Sequence, residues 1–268
     1  MEFQLALCQM KVTMDKQQNL ETAGSMIKEA AGKGAQVIAL PEMFNCPYSN
    51  KYFREYAEKE GGKTYQYLSS LAKELGIYLI GGSCPELEDD KVYNTSYSFD
   101  KDGNLIGKHR KIHLFDIDVK GGIRFMESET LTPGNSMTIL ETEYCKIGVA
   151  ICYDVRFPEL FRRMTLEGVK LAVLPGAFNM TTGPAHWELT MRARALDNQI
   201  YFAAVSPARD TEGPYQAYGN SLVANPWGEF SGKTDARESI VYSKIDLDYV
   251  DDIRNQLPLL KHRKPELY

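Results

Sequence analysis

Apolar and polar residues alternate from Phe3 to Met10, which predicts a strand, and Lys16–Lys33 carries Leu20, Ala23, Ile27, Ala30 and Ala31 at helical spacing before Gly34. Ala35–Leu40, with Val37–Leu40 apolar on successive positions, ends at Pro41, the pattern of a strand buried on both faces. The alternation then repeats. Tyr65, Leu68, Leu71, Ala72 and Leu75 mark a helix stopped by Gly76, and Ile77–Ile80 forms the next apolar strand, so the chain opens as β-α-β-α-β.

Lys91–Phe99 and Asn104–Lys108 flank Asp100-Lys101-Asp102-Gly103, which predicts a hairpin turning at Asp102-Gly103. Residues 111–136 have no clear period and read as a long loop, a feature that in a compact domain is often functional. Strands are expected at Met137–Leu140, Lys146–Cys152, Val169–Leu174, Ile200–Val205, Tyr218–Ala224 and Ser239–Ile245. Helices are expected near Phe157–Glu167 and around Trp187, Met191 and Ala195. No repeat or Gly/Ser linker divides this pattern, so one α/β domain with sheets covered by helices is the economical architecture. It should span residues 1–247. Residues 248–268, punctuated by Pro258 and Pro265, read as an extended C-terminal arm.

Composition narrows the function. At 268 residues with 43% hydrophobic content, the chain can bury a sizeable core, yet no apolar run approaches the roughly 20 residues a membrane span needs. The net charge of −5 and the lack of a Lys/Arg-rich block argue against nucleic acid as a partner. Met1-Glu2-Phe3-Gln4 opens without the basic stretch and apolar run of a secretory signal, which points to the cytoplasm, with the mitochondrial matrix as the alternative. Cys8, Cys46, Cys84, Cys145 and Cys152 are scattered and odd in number, which favours reduced thiols over disulfides or structural zinc.

Three positions carry candidate chemistry. Cys152 ends the apolar run Ile147-Gly148-Val149-Ala150-Ile151 just before a predicted helix, where a strand-to-helix turn presents a nucleophile and aims the following N–H groups at an oxyanion. Glu42 stands directly after the buried strand and Pro41, at a sheet edge of the kind where sites gather. Lys111 closes Gly107-Lys108-His109-Arg110-Lys111 after the hairpin. Taken singly, each has a bland reading: a core cysteine, a loop acid and a solvated basic face. A Cys/His dyad through His109, His113 or His186 is the competing catalytic arrangement.

Taken in order, these segments resemble the nitrilase superfamily of carbon–nitrogen hydrolases. Leu40-Pro41-Glu42 matches its glutamate motif, Gly107-Lys108-His109-Arg110-Lys111 its lysine motif, and Gly148-Val149-Ala150-Ile151-Cys152-Tyr153-Asp154 its cysteine motif. The resemblance implies a four-layer α-β-β-α sandwich that dimerises through helices, with the tail crossing the interface and no metal or organic cofactor. It implies Cys152 as nucleophile, Glu42 as the proton-transferring base, and Lys111 with the Tyr153 N–H as oxyanion donors. Glu127, in Phe125-Met126-Glu127, matches a second glutamate that positions Lys111 or the substrate amide; Glu129 is its nearest competitor.

Within the superfamily the chain is most similar to the omega-amidase branch, on Phe125–Leu131, Cys152–Leu160, Gly176–Pro184, Ser206–Asp210 and Leu257–Arg263. That branch hydrolyses the side-chain amide of 2-oxoglutaramate and 2-oxosuccinamate with water. Such a substrate carries a carboxylate opposite its amide, which Arg156 can pair with, and Phe178, Met180 and Thr182 are expected at the same sheet edge as Cys152. Arg156 reads equally as a structural ion-pair partner, and Phe178 as a packing residue. The alternatives are an amidase for deaminated glutathione or an N-carbamoyl amino acid, a nitrile hydrolase, a metal hydrolase, and an inactive dimeric interaction protein.

Overall fold

The first strand divides its side chains between two apolar layers: Phe3, Leu5 and Leu7 face one, Ala6 and Cys8 the other. This is the period-2 signature of a strand covered on both faces. The computed structural model describes residues 1–120 and 124–267. Its first half runs β1 (Glu2–Gln9), α1 (Lys16–Gly32), β2 (Val37–Ala39), α2 (Asn50–Tyr56), α3 (Lys63–Leu75), β3 (Tyr78–Ile80), β4 (Cys84–Glu88), β5 (Lys91–Phe99) and β6 (Leu105–Arg110). The second half continues with β7 (Asp116–Asp118), β8 (Arg124–Met126), β9 (Thr138–Glu141), β10 (Lys146–Val149), α4 (Pro158–Leu166), β11 (Val169–Pro175) and α5 (Gly183–Asn198). It ends with β12 (Tyr201–Val205), β13 (Leu222–Ala224), β14 (Phe230–Lys233), β15 (Ser239–Asp246) and α6 (Leu247–Gln256).

One sheet has the order β15-β1-β2-β3-β5-β4, with β6 on the other side of β5, and the second has the order β14-β13-β12-β11-β10-β9. Leu5, Leu7, Val37 and Ala39 from the first sheet pack against Ile147, Val149, Leu171 and Val173 from the second. Helices α1 and α3 cover the outer face of the first sheet through Leu20, Ile27, Leu68 and Leu71. Helices α4 and α5 cover the second through Phe161, Met164, Trp187 and Met191. The result is the expected four-layer α-β-β-α sandwich.

Strand direction places the chemistry. β1, β2 and β3 are parallel, β5 is antiparallel to β3, and β6 is antiparallel to β5, so β2 and β6 run the same way. Glu42 and Lys111 therefore follow strands that end at one edge. β10 and β11 are likewise parallel, so Cys152 and residues 176–182 share an edge of the second sheet. The turn before Glu42 is held by a close approach: Gly82 lies at φ 59°, and a Cβ there would come within 2.2 Å of the Pro41 carbonyl oxygen. Only glycine fits that contact in that conformation without displacing the backbone.

Several boundaries differ from the sequence reading. The strand leading to Cys152 stops at Val149, and Cys152–Arg156 forms a 3₁₀ turn. Within the expected long loop, β7 pairs with β8 and Glu127–Glu129 forms a second 3₁₀ turn; residues 121–123 of that loop lie outside the described residues. Residues 218–221 precede β13, which begins at Leu222. The supposed arm starts as a helix. Asp246 accepts hydrogen bonds from the Asp248 and Tyr249 N–H groups, and Leu247, Val250 and Ile253 form a buried stripe. A capping acid and an i, i+3, i+6 apolar pattern outweigh the later prolines. Beyond Gln256 the only regular element among the described residues is a 3₁₀ turn at Pro265–Leu267, and Tyr268 lies outside them.

Candidate active site

Glu42, Lys111, Glu127 and Cys152 converge where the two sheet edges meet, and all four are buried. Lys111 Nζ donates to Glu42 Oε1 and to Glu127 Oε1, each at 2.9 Å. Glu42 also accepts from Asn94 Nδ2 at 2.9 Å on Oε1 and from the Ala177 N–H at 2.7 Å on Oε2. The last bond joins the two sheets at the site. Glu127 accepts from the Tyr48 hydroxyl at 2.6 Å and from the Phe115 N–H at 2.7 Å. The Cys152 thiol lies near enough to Glu42 for the carboxylate to act on its titration.

The electrostatics follow from burial and from one cation among two acids. Burial pushes the Glu42 carboxyl above its ordinary range; Lys111 pulls it down, and the charge of Glu127 adds to the rise. Burial disfavours charged Lys111, but Glu127 and Glu42 outweigh it and hold the ammonium firmly protonated. Burial, then the charge of Glu42, raises the Cys152 thiol well above its usual value, with Lys111 opposing. The resting sulfur is therefore a neutral thiol beside a base, not a free thiolate. A site of this kind can move one proton between sulfur and carboxylate while presenting a fixed cation.

Cys152 has φ 46°, in the left-handed region. For a non-glycine residue this costs on the order of 1–3 kcal/mol and persists only where surrounding contacts dictate it. Asp154 supplies such contacts: its N–H donates to the Ile151 carbonyl at 3.0 Å, and its Oδ2 accepts from the Ile151 N–H at 2.9 Å.

The other expected site residues are placed as follows. Tyr153 follows Cys152 in the 3₁₀ turn. The Arg156 guanidinium lies over the Phe178 ring at 5.1 Å and the Tyr153 ring at 5.7 Å, and contacts His186 Nδ1 at 3.3 Å. Phe178 is buried and packs edge-on against Trp187. Thr182 is partly buried, bonded to Asn179 Oδ1 through its N–H and hydroxyl, whereas Met180 is 40% exposed. A cavity beside Glu42 is lined by Met43, Tyr48, Ala208, Asp210 and Tyr215, and Arg156, Phe178, Met180 and Thr182 are not part of its lining. Glu129 is on the surface, paired with Arg124. Among the described residues, no group of three His, Cys, Asp or Glu side chains is arranged to hold a metal ion.

Sequence reasoning missed Tyr48, Asn94 and the Ala177 and Phe115 N–H groups. Asn94 sits in a strand of mixed polar and apolar residues, where its burial and its partner 52 residues away leave no local signal. Tyr48 had none beyond its place after Pro47.

The carbon–nitrogen hydrolase family matches residues 4–255. The omega-amidase NIT2 of Xenopus tropicalis is 57% identical over 267 residues, covering 100% of this chain and 97% of that protein. The crystal structure of Saccharomyces cerevisiae Nit3, a member of branch 10 of the nitrilase superfamily, superposes with a TM-score of 0.91 at 42% identity over 98% of this chain and 97% of that one. A mutant amidase from Nesterenkonia sp. AN1, whose structure shows acrylamide added to the active-site cysteine, matches with a TM-score of 0.78 at 25% identity over 96% of this chain and 98% of that one. A glutamate, a lysine and a cysteine gathered in one buried site, on a fold and sequence shared throughout their length, make this chain a member of the carbon–nitrogen hydrolase family.

Proposed function

We propose that the protein hydrolyses the side-chain amide of short ω-amido 2-oxo acids, 2-oxoglutaramate and 2-oxosuccinamate, through a thioester on Cys152. The observation that carries this reading is the buried Glu42 carboxylate, bonded to Lys111 and near enough to the Cys152 thiol for its charge to act on it. Full-length similarity to omega-amidase NIT2 supports the substrate class.

In the first half-reaction Glu42 takes the thiol proton as sulfur attacks the amide carbon. The carbonyl oxygen becomes negative and is held by Lys111 Nζ and the Tyr153 N–H. A preorganised donor of this kind is worth about 10²–10³ in kcat. The C–N bond then breaks as Glu42 passes its proton to nitrogen, and ammonia leaves. In the second half-reaction Glu42 takes a proton from water, hydroxide oxygen attacks the thioester, and the sulfur departs and recovers the proton. The Glu42 carboxyl, raised by burial, is suited to both transfers. Glu127 keeps Lys111 in place, and Arg156, stacked on Phe178, is positioned to bind the substrate carboxylate, with Met180 and Thr182 beside it.

The rest of the reading is a cytoplasmic homodimer acting without a cofactor. All five cysteines are unpaired, as a reducing compartment favours. Helices α4 and α5 expose Leu166, Leu189 and Leu196, and Arg263 of the tail lines a cavity with Leu166 and Asn198, which suits a helical interface crossed by residues 257–267.

Ammonia release from a panel tests the substrate: 2-oxoglutaramate, 2-oxosuccinamate, deaminated glutathione, an N-carbamoyl amino acid and an aliphatic nitrile. The two oxo acids should exceed the others at least tenfold in kcat/KM, and equal turnover across the panel contradicts the assignment. Arg156→Ala should raise KM for 2-oxoglutaramate about 10- to 100-fold, the range of a lost charge-assisted pair, and change little for an uncharged amide. A uniform loss on both would mean that Arg156 only supports the fold.

A further inference from the structure

We propose that Asp154 is the positioning residue that holds the two oxyanion donors, Lys111 and the Tyr153 N–H, in register with each other. The inference rests on the amidase reading above and deepens it.

Asp154 is fully buried, and its carboxylate accepts four hydrogen bonds. Oδ1 takes the His113 N–H at 2.9 Å and its Nδ1 at 2.8 Å; Oδ2 takes His109 Nε2 at 3.1 Å and the Ile151 N–H at 2.9 Å. His109 and His113 flank Lys111 in the chain, and Ile151 and Asp154 flank Cys152 and Tyr153. One carboxylate thus ties the segment bearing the cationic donor to the turn bearing the backbone donor. It also spans the residue at φ 46°, which needs such support.

Each histidine is fixed at its far side as well. His109 Nδ1 meets Thr138 Oγ1 at 3.1 Å, and the His113 ring stacks on Phe157 at 3.5 Å, with Phe157 edge-on to Tyr153 at 5.7 Å. Burial acts to raise the Asp154 carboxyl, but the bonds from His109, His113 and Ile151 outweigh it and keep the group well below the usual carboxylate range. It therefore stays an acceptor on both oxygens.

Asp154→Asn separates positioning from simple packing. The amide has nearly the same shape but presents NH₂ in place of one oxygen, so either the Ile151 or the His113 N–H loses its acceptor whichever way the amide turns. Two rates are compared: kcat for 2-oxoglutaramate, and alkylation of Cys152 by iodoacetamide, followed by peptide mass spectrometry. Alkylation displaces iodide at carbon and builds no charge in the oxyanion hole. The expected result is a kcat lower by about 30- to 1000-fold, KM within threefold, and alkylation within threefold of the unaltered protein. A kcat within threefold, or alkylation falling in parallel with kcat, overturns the proposal. Should Asp154→Asn fail to fold, His113→Phe keeps the ring on Phe157 and deletes one bond. At least fivefold lower kcat with unchanged alkylation then supports the proposal, and unchanged kcat overturns it. An unaltered protein that releases no ammonia from any amide on the panel instead defeats the amidase reading beneath it.

Discussion

Replacing Lys111 with methionine is expected to lower turnover at least about 10³-fold and to destabilise the fold markedly. Lys111 is the cation that both buried carboxylates share, and the substitution leaves Glu42 and Glu127 facing each other across an apolar side chain. Removing one partner from a buried ion pair costs about 3–5 kcal/mol, which at this chain length corresponds to roughly 10 °C in melting temperature. The loss depends on pH. Burial already raises the Glu42 carboxyl and Lys111 pulls it down, so without Lys111 it should titrate further above its unfolded value of about 4.3, and the folded state then holds a proton that the unfolded state has released. Stability is then least impaired below that value and falls further as pH rises through the folded value. Melting at pH 5 and pH 8 checks this: the deficit should be larger at pH 8. Equal melting to the unaltered protein at both pH values would show that Lys111 does not bridge the two acids.

Replacing Cys152 with alanine should abolish ammonia release, a drop of about 10⁴-fold or more, because no other group at the site can form the covalent intermediate. The neighbouring carboxylates keep their bonds to Lys111, Asn94 and Ala177, and the resting thiol is neutral, so its loss uncovers no buried charge. Alanine meets the same backbone constraint as cysteine at φ 46°. Melting should therefore change by only a few degrees while turnover vanishes. Activity within tenfold of the unaltered protein would mean that water, activated by Glu42, attacks the amide directly.

Much of this was readable before any coordinates. The strands that carry the chemistry are covered on both faces, and such strands write themselves as unbroken apolar runs; Val37–Leu40 and Ile147–Ile151 are examples. The glutamate and cysteine motifs mark the ends of those runs, the lysine motif follows the mixed strand of the hairpin, and the topology brings the three together. The missing elements had weaker signatures. β4 contains Pro85 and Glu86, and its buried acid is tolerated because Lys108 and Arg110 on β6 pair with it across the sheet, which local sequence does not reveal. α2 is short and rich in tyrosine and charge. α6 was masked by the prolines that follow it, although Asp246 announces its start.

The site itself was legible in its charged members and opaque in its supports. Tyr48, Asn94 and Asp154 act through partners 79, 52 and 45 residues away in the chain, separations that carry no local pattern. The side chains expected around the substrate were the least legible part. A position just beyond a strand predicts the correct sheet edge, but not whether a side chain turns inward like Phe178 or outward like Met180.

The central claim is a covalent bond between Cys152 and the acyl group. Its most direct test is the intact mass of the protein mixed with 2-oxoglutaramate and quenched in acid within the first turnover. An adduct equal to the substrate less ammonia, mapped to the peptide containing Cys152 and released by hydroxylamine, is the predicted result. First-turnover ammonia without that adduct, or an adduct on another residue, would contradict it.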